Sequence, residues 1–215
     1  FTIANMAVEA GAKAGLFKTD SKTFDYLSQR GRGDKFVAIE PDEDAQYDRI
    51  IKIDASKIKP TVSCPHTVDN TKLASELSDV KVDQIFLGSC TNGRIEDLRI
   101  AAKILDGKKV KEGVRLLVSP ASRDVFLQAL REGLIEIFVK AGAAIVTSGC
   151  GCCVGVHAGI LGDNEVCLST QNRNFQGRLG NTKGFIYLCS PAVAAYSAIF
   201  GHIACPSEMF NKAIG

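Results

Sequence analysis

From Val82 onward the chain switches regularly between two hydrophobic periods. Apolar runs of strand length occupy 82–87, 114–118, 143–147, 165–169 and 185–189. Between and after them, apolar positions recur at helical spacing over 95–105, 122–132, 135–141 and 192–200, the last with Pro191 near its first turn. Strands alternating with helices predict an α/β fold, a parallel sheet covered on both faces. Before Val82 the pattern is less regular. Residues 3–15 read as a helix, with Thr2 as N-cap and Gly15 at its end, and 23–29 read as a second, short helix. The charged stretch 31–48 carries Gly31, Gly33 and Pro41 and reads mostly as loop, whereas 47–53 alternates polar and apolar residues like a half-buried strand. Residues 57–70 contain Pro60 and Pro65 and no clear period. The expected division is therefore 1–60, the end of a preceding α/β domain, and 61–215, a three-layer α/β/α domain. The chain opens at Phe1 already in helical spacing, which suggests a fragment.

Parallel strands put all their carboxyl ends on one side, and ligands of open α/β sheets bind outside those ends. Five loops are thereby sent to one edge: 88–94, 119–122, 148–155, 170–178 and 190–191. The first contains Cys90, the third contains Cys150, Cys152 and Cys153, and the fourth contains Arg173 and Arg178. Three thiolates around one point suit a metal or an iron–sulfur cluster. C-x-x-C at Cys150 and Cys153 alone is ambiguous between a redox dithiol, zinc and a cluster. Zinc would want a fourth ligand, for which only His157 and Cys152 are at hand. Three cysteine ligands on a cluster leave one iron open to substrate, which suits Lewis-acid chemistry. Two arginines beside it suit bidentate recognition of carboxylates, although surface arginines are often merely solvated. Asn5 and Glu9 are spaced i, i+4 and share a helix face; by spacing alone that face reads as solvated. Glu96 and Asp97 read as helix-start residues, and His66 and His202 as loop or core histidines.

Composition narrows the setting. The chain has 26 basic and 24 acidic residues among 215, with no basic stripe interleaved with aromatics, so nucleic acid is not implied as a partner. No apolar stretch is long enough for a membrane helix and no secretory leader is visible. Eight cysteines without a leader point to a reducing, cytoplasmic setting in which some thiols are metal ligands. Cys64, Cys167, Cys189 and Cys205 lie in or beside apolar runs and read as small hydrophobes.

Taken together, GSCTNGR at 88–94, SGCGCCVG at 148–155 and NRNFQGR at 172–178 resemble the aconitase superfamily, and within it the large subunits of the two-subunit hydro-lyases. The opening TIANMAVEAGAKAG resembles a further segment of that family. The resemblance implies that Cys90, Cys150 and Cys153 hold a 4Fe–4S cluster, one readily lost in air. It also implies that Arg173, Arg178 and Asn172 bind substrate and that Asn5 and Glu9 lie near the cluster and its bound hydroxyl. Where the family commonly has proline, this chain has Cys152. The activity implied is reversible dehydration and rehydration of a small 2-hydroxy di- or tricarboxylic acid, in the first instance for leucine biosynthesis, with homoaconitase or another aconitase-type hydratase as alternatives. In such enzymes a separate small subunit carries the swivelling domain with the catalytic serine base, and the large subunit has a long N-terminal part with active-site aspartate and histidine residues that does not precede Phe1 here. This chain alone is therefore expected to be inactive. A cluster-binding regulatory protein and a zinc hydrolase are the rival readings.

Overall fold

The computed structural model describes residues 1–206. Its contacts divide the chain into two compact units, Phe1–Ile58 and Lys59–Gly215.

The first unit contains two short α-helices, α1 (Thr2–Met6) and α2 (Ser21–Ser28), with 3-10 turns at Ala7–Ala10, Gly33–Lys35 and Ala55–Lys57. The helix expected over 3–15 is shorter than its apolar spacing suggested. Its N-cap is Phe1, not Thr2, and the chain tightens into the 3-10 turn before Gly11 ends it in the left-handed region. α2 starts where Asp20 accepts a hydrogen bond from the Thr23 N–H at 3.0 Å while the Thr23 hydroxyl caps back. The strand expected over 47–53 does not form. That segment pairs with no other strand, and Ile50, Ile51 and Ile53 remain 72%, 70% and 73% exposed. Alternation marks a strand only where a neighbouring ladder satisfies its backbone.

The second unit is built on one seven-stranded sheet in the order β2-β1-β7-β6-β3-β4-β5. Its strands are β1 (Thr61–Ser63), β2 (Thr71–Leu73), β3 (Gln84–Gly88), β4 (Arg115–Ser119), β5 (Ala144–Ile145), β6 (Val166–Ser169) and β7 (Phe185–Leu188). The last five are mutually parallel, while β1 and β2 form an antiparallel hairpin joined to β7 by the pair Ser63↔Leu188. Sequence reading missed that hairpin because three-residue strands beside Pro60 and Pro65 show no period.

Side chains alternate across the sheet as the pleat requires. Ile85 and Leu87 of β3 and Leu168 of β6 enter the larger apolar cluster, whereas Phe86 and Cys167 enter the smaller one. The larger cluster is closed by α4 (Ile95–Leu105), α5 (Arg123–Arg131), α6 (Leu134–Ala141) and α8 (Pro191–Phe200). In α4 the buried Leu98, Ala101, Ala102 and Leu105 follow the i, i+3, i+4, i+7 stripe. In α8 Pro191 opens the helix and the Ser190 hydroxyl accepts from the Val193 N–H at 3.3 Å. The opposite face is covered by the segment around the one-turn helix α7 (Gly151–Val154), through Cys152 and Leu161, and by Leu179.

Strand order defines a switch point. After β3 the chain crosses to β4 on one side, and after β6 it crosses to β7 on the other. The two connections leave in opposite directions, which opens a crevice between the carboxyl ends of β3 and β6.

Candidate functional site

Cys90 sits at that crevice on the one-turn helix α3 (Ser89–Asn92), directly after β3. The turn is sharp. Gly88 has φ of 147° and lies so close to β4 that a Cβ there would meet the Ser119 carbonyl oxygen at 2.1 Å. Ser89 has φ of 93°, a costly conformation for a residue with a side chain. Its buried hydroxyl is fixed by Thr91 Oγ1 at 3.2 Å and by the Asn92 N–H at 3.2 Å, so the strain is held locally. The result leaves Cys90 exposed on an otherwise buried turn.

The loop after β6 is clamped to this turn. Thr170 Oγ1 accepts from the Gly88 N–H at 2.8 Å and donates to its carbonyl at 2.9 Å. Thr91 Oγ1 donates to Asn172 Oδ1 at 2.7 Å, and Asn92 Nδ2 donates to the same oxygen at 3.2 Å and to the Thr170 carbonyl at 2.5 Å. Asn172, expected to bind substrate, is only 5% exposed, and its amide oxygen joins the two loops. Asn174 Nδ2 donates to the Cys64 carbonyl at 2.8 Å and the Thr67 carbonyl at 3.2 Å, which ties the loop to the β1–β2 hairpin as well. The clamp residues Thr91, Asn92, Thr170 and Asn174 went unnoticed in sequence. The signal was the dense run of Ser, Thr and Asn after two strands, which such caps and turns favour.

Cys150 caps α7 and is exposed, Cys153 is half-buried within it, and Cys152 points into the smaller apolar cluster. His157 packs locally, its imidazole lying against the Cα of Gly151. Burial pushes the Cys153 thiol above its ordinary range; Arg178 pulls it back, and the fields of Cys90 and Cys150 push it further up. Arg178 Nη2 lies 3.7 Å from Cys153 Sγ, and the guanidinium carbon is 5.4 Å from the centre of the Phe175 ring. Arg178 Nε is buried without a hydrogen-bond partner, as are the acceptors Gln171 Oε1 and Asn174 Oδ1. Arg173 is half-buried on the same loop, and its carbonyl accepts from Gln171 Nε2 at 2.8 Å. Asp97 accepts from the Arg94 N–H at 3.0 Å, the helix-start role expected of it. Asn5 belongs to α1 and Glu9 to the 3-10 turn of the first unit, so the regular helical face the pair was expected to share is interrupted between them.

Among the described residues no group of three or more His, Cys, Asp or Glu is placed to hold a single metal ion. A cluster places each thiolate on a different iron and spreads its ligands accordingly. The residues fit such a group in their chemistry: Cys90 and Cys150 are exposed and Cys153 is half-buried on loops at one edge of the sheet, and the cation Arg178 places Nη2 3.7 Å from Cys153 Sγ.

A mostly parallel sheet whose carboxyl-end loops carry three cysteines and two arginines has a counterpart among known proteins. The model of the aconitase family (aconitate hydratase) matches residues 1–76 and 67–201, and the chain belongs to that family. Membership implies an iron–sulfur cluster.

Individual relatives are more specific. The 3-isopropylmalate dehydratase large subunit of Elusimicrobium minutum is 72% identical over 98% of this chain and 50% of its own length. The 3-isopropylmalate dehydratase large subunit 2 of Archaeoglobus fulgidus is 56% identical over 96% of this chain and 50% of its own, and the large subunit 1 of Thermotoga maritima is 53% identical over 95% and 50%. The chain thus spans about half the length of the curated relatives it matches. No helix among the described residues is long and apolar enough to cross a membrane.

Proposed function

We propose that this chain forms the cluster-bearing part of the large subunit of a cytoplasmic hydro-lyase, which isomerises 3-isopropylmalate or a closely related 2-hydroxy acid by dehydration and rehydration. The observation that supports the reading is Arg178 Nη2 lying 3.7 Å from Cys153 Sγ, on two loops beyond the carboxyl ends of the parallel strands, with Cys90 and Cys150 exposed on loops at the same edge. The names of the relatives supply the substrate and, through the words large subunit, the expectation of a small subunit.

In this reading the three thiolates hold a 4Fe–4S cluster, which when bound supplies a Lewis acid toward the substrate hydroxyl. The chain's own residues do the rest of the positioning. Arg173 holds a substrate carboxylate through its planar fork, and Arg178 contributes a second cation at the cluster side. Asn172 ties the arginine loop to the Cys90 turn by accepting hydrogen bonds from Thr91 and Asn92. Proton abstraction falls to the serine base of the small subunit.

The test is anaerobic reconstitution with iron and sulfide analysis, followed by assay of the large subunit with its small-subunit partner on 3-isopropylmalate, homocitrate and citrate. Stoichiometric iron and sulfide with turnover of 3-isopropylmalate supports the reading; a loaded cluster without turnover of any of these acids refutes it. In the complete enzyme Arg173→Lys should lower kcat/KM by roughly 10²-fold or more although the charge is kept, because lysine cannot form the fork. An unchanged kcat/KM removes Arg173 from the substrate site.

A further inference from the structure

The two arginines of the loop after β6 are not equivalent. Arg178 is half-buried and met by two of this chain's own groups: the centre of the Phe175 ring lies 5.4 Å from its guanidinium carbon, and Cys153 Sγ lies 3.7 Å from Nη2. We propose that Arg178 is a positioning residue for the cluster, donating an N–H···S bond to the Cys153 ligand and thereby holding that ligand and setting the cluster's reduction potential. The proposal rests on the cluster reading above.

The backbone around Arg178 explains why its side chain is aimed there. Residues 175–180 fold into consecutive tight turns, with the Arg178 N–H donating to the Phe175 carbonyl at 3.0 Å and the Gly180 N–H to the Gly177 carbonyl at 3.0 Å. This turn is seated directly on the end of α7. Gly155 has φ of 63° and approaches so closely that a Cβ there would meet the Leu179 carbonyl carbon at 2.5 Å and the Gly180 nitrogen at 2.6 Å. Leu179 is buried in the same apolar cluster as Cys152, the neighbour of Cys153. Backbone contact and shared apolar packing therefore fix the arginine and its sulfur partner as a pair, without help from any substrate. Arg178 Nε is also buried and has no hydrogen-bond partner.

The chemical consequence follows from charge. Adding an electron makes a cluster more negative, and a hydrogen bond from a cation to a ligand sulfur stabilises that state more than the oxidised one. Removing the donor should move the midpoint to more negative potential and loosen the ligand.

The experiment uses the full chain, reconstituted anaerobically, with iron and sulfide quantified for every variant. Midpoints are read by redox titration followed by electron paramagnetic resonance, and cluster release by the rate of iron transfer to a chelator. Arg178→Gln should release iron about 10-fold faster than wild type and titrate at a more negative potential. Arg178→Lys should shift less, since it keeps the charge. Phe175→Leu, which loosens the guanidinium without touching it, should move both readouts in the same direction by a smaller amount, and it serves if Arg178→Gln fails to load. Loaded variants with wild-type potential and wild-type release overturn this proposal alone. A wild-type chain that binds no cluster overturns the cluster reading and this proposal with it.

Discussion

The two rims of the central sheet are built from similar polar material and finished differently. At the amino end, Arg115 of β4 donates to Glu165 through two nitrogens, at 2.8 and 2.6 Å, and to Gln84 Oε1 at 3.2 Å. Gln84 passes its own amide hydrogen to the Gly159 carbonyl at 2.8 Å, Glu165 also accepts from the Gly162 N–H, and Asp83 accepts from the Val166 N–H at 2.8 Å. At the carboxyl end, Arg178 Nε, Gln171 Oε1 and Asn174 Oδ1 are buried and unpaired, Ser89 is held in a strained conformation, and two thiols face outward. Buried polar groups are ordinarily satisfied. The amino rim pairs its charged groups internally and leaves His66 Nδ1, beside Phe185 at the start of β7, without a partner, whereas the carboxyl rim leaves a buried guanidinium N–H and two amide oxygens unmet on the loop after β6, at the edge where ligands of such sheets bind.

The same residue type makes the contrast sharper. Cys90 stands beyond the end of β3 and is exposed, while Cys167, paired across the ladder with Gln84 of β3, is fully buried, and burial pushes its thiol up to about 12. Cys152 points into the same apolar cluster as Cys167 although it lies between two exposed or half-buried neighbours. Which cysteine is available is set by its distance past the strand end and by which side of a helical turn it occupies.

The largest effect that would break the comparison is at the open rim. Cys90→Ser, and separately Cys150→Ser, should abolish the broad visible absorbance of the reconstituted protein while changing apo stability by less than about 0.5 kcal/mol. Full cluster content in Cys90→Ser would remove the open rim's claim to the cluster. Cys167→Ser should do the reverse: cluster content is kept and chemical denaturation reports a loss of roughly 1–2 kcal/mol from placing a hydroxyl in an apolar cluster. Iodoacetamide with peptide mass mapping should then label Cys90 and Cys150 of the apo protein at pH 8 long before Cys167, because only the thiolate reacts.

The smallest effect is at the closed rim. Arg115 holds the Glu165 carboxyl below the usual carboxylate range, with the Gly162 N–H assisting. A carboxylate so lowered adds stability above its unfolded pKa and loses it as pH falls through the folded value. Glu165→Gln should therefore cost at most about 1 kcal/mol at pH 7, since the side chains are 28% and 46% exposed. That deficit should close progressively as the pH drops below about 4. A deficit that persists unchanged in acid would show that the pair acts through packing and not through charge.

The sequence by itself determined the alternation of strands and helices from Val82 onward, because each of those elements has an apolar face long enough to display its period. The helix over Ile95–Leu105 appears with the expected bounds, and Pro191 stands in the first turn of its helix as expected; the helix expected over 122–132 runs Arg123–Arg131 with Ser122 as its N-cap. The expectation that Cys90, Cys150, Cys153, Arg173 and Arg178 share a site came from parallel strands delivering their carboxyl-end loops to one edge; of those pairs the structure shows Arg178 against Cys153. Local pattern failed where pairing partners decide the outcome. The 47–53 alternation forms no strand because no neighbouring ladder meets it, and the β1–β2 hairpin forms without a period because β7 supplies its edge. Only the tertiary structure decided that the Asn172 amide oxygen joins two loops, that Cys152 faces the apolar cluster, and that Arg178 lies on Cys153. Each of these depends on contacts between segments distant in sequence, which spacing along one chain does not encode.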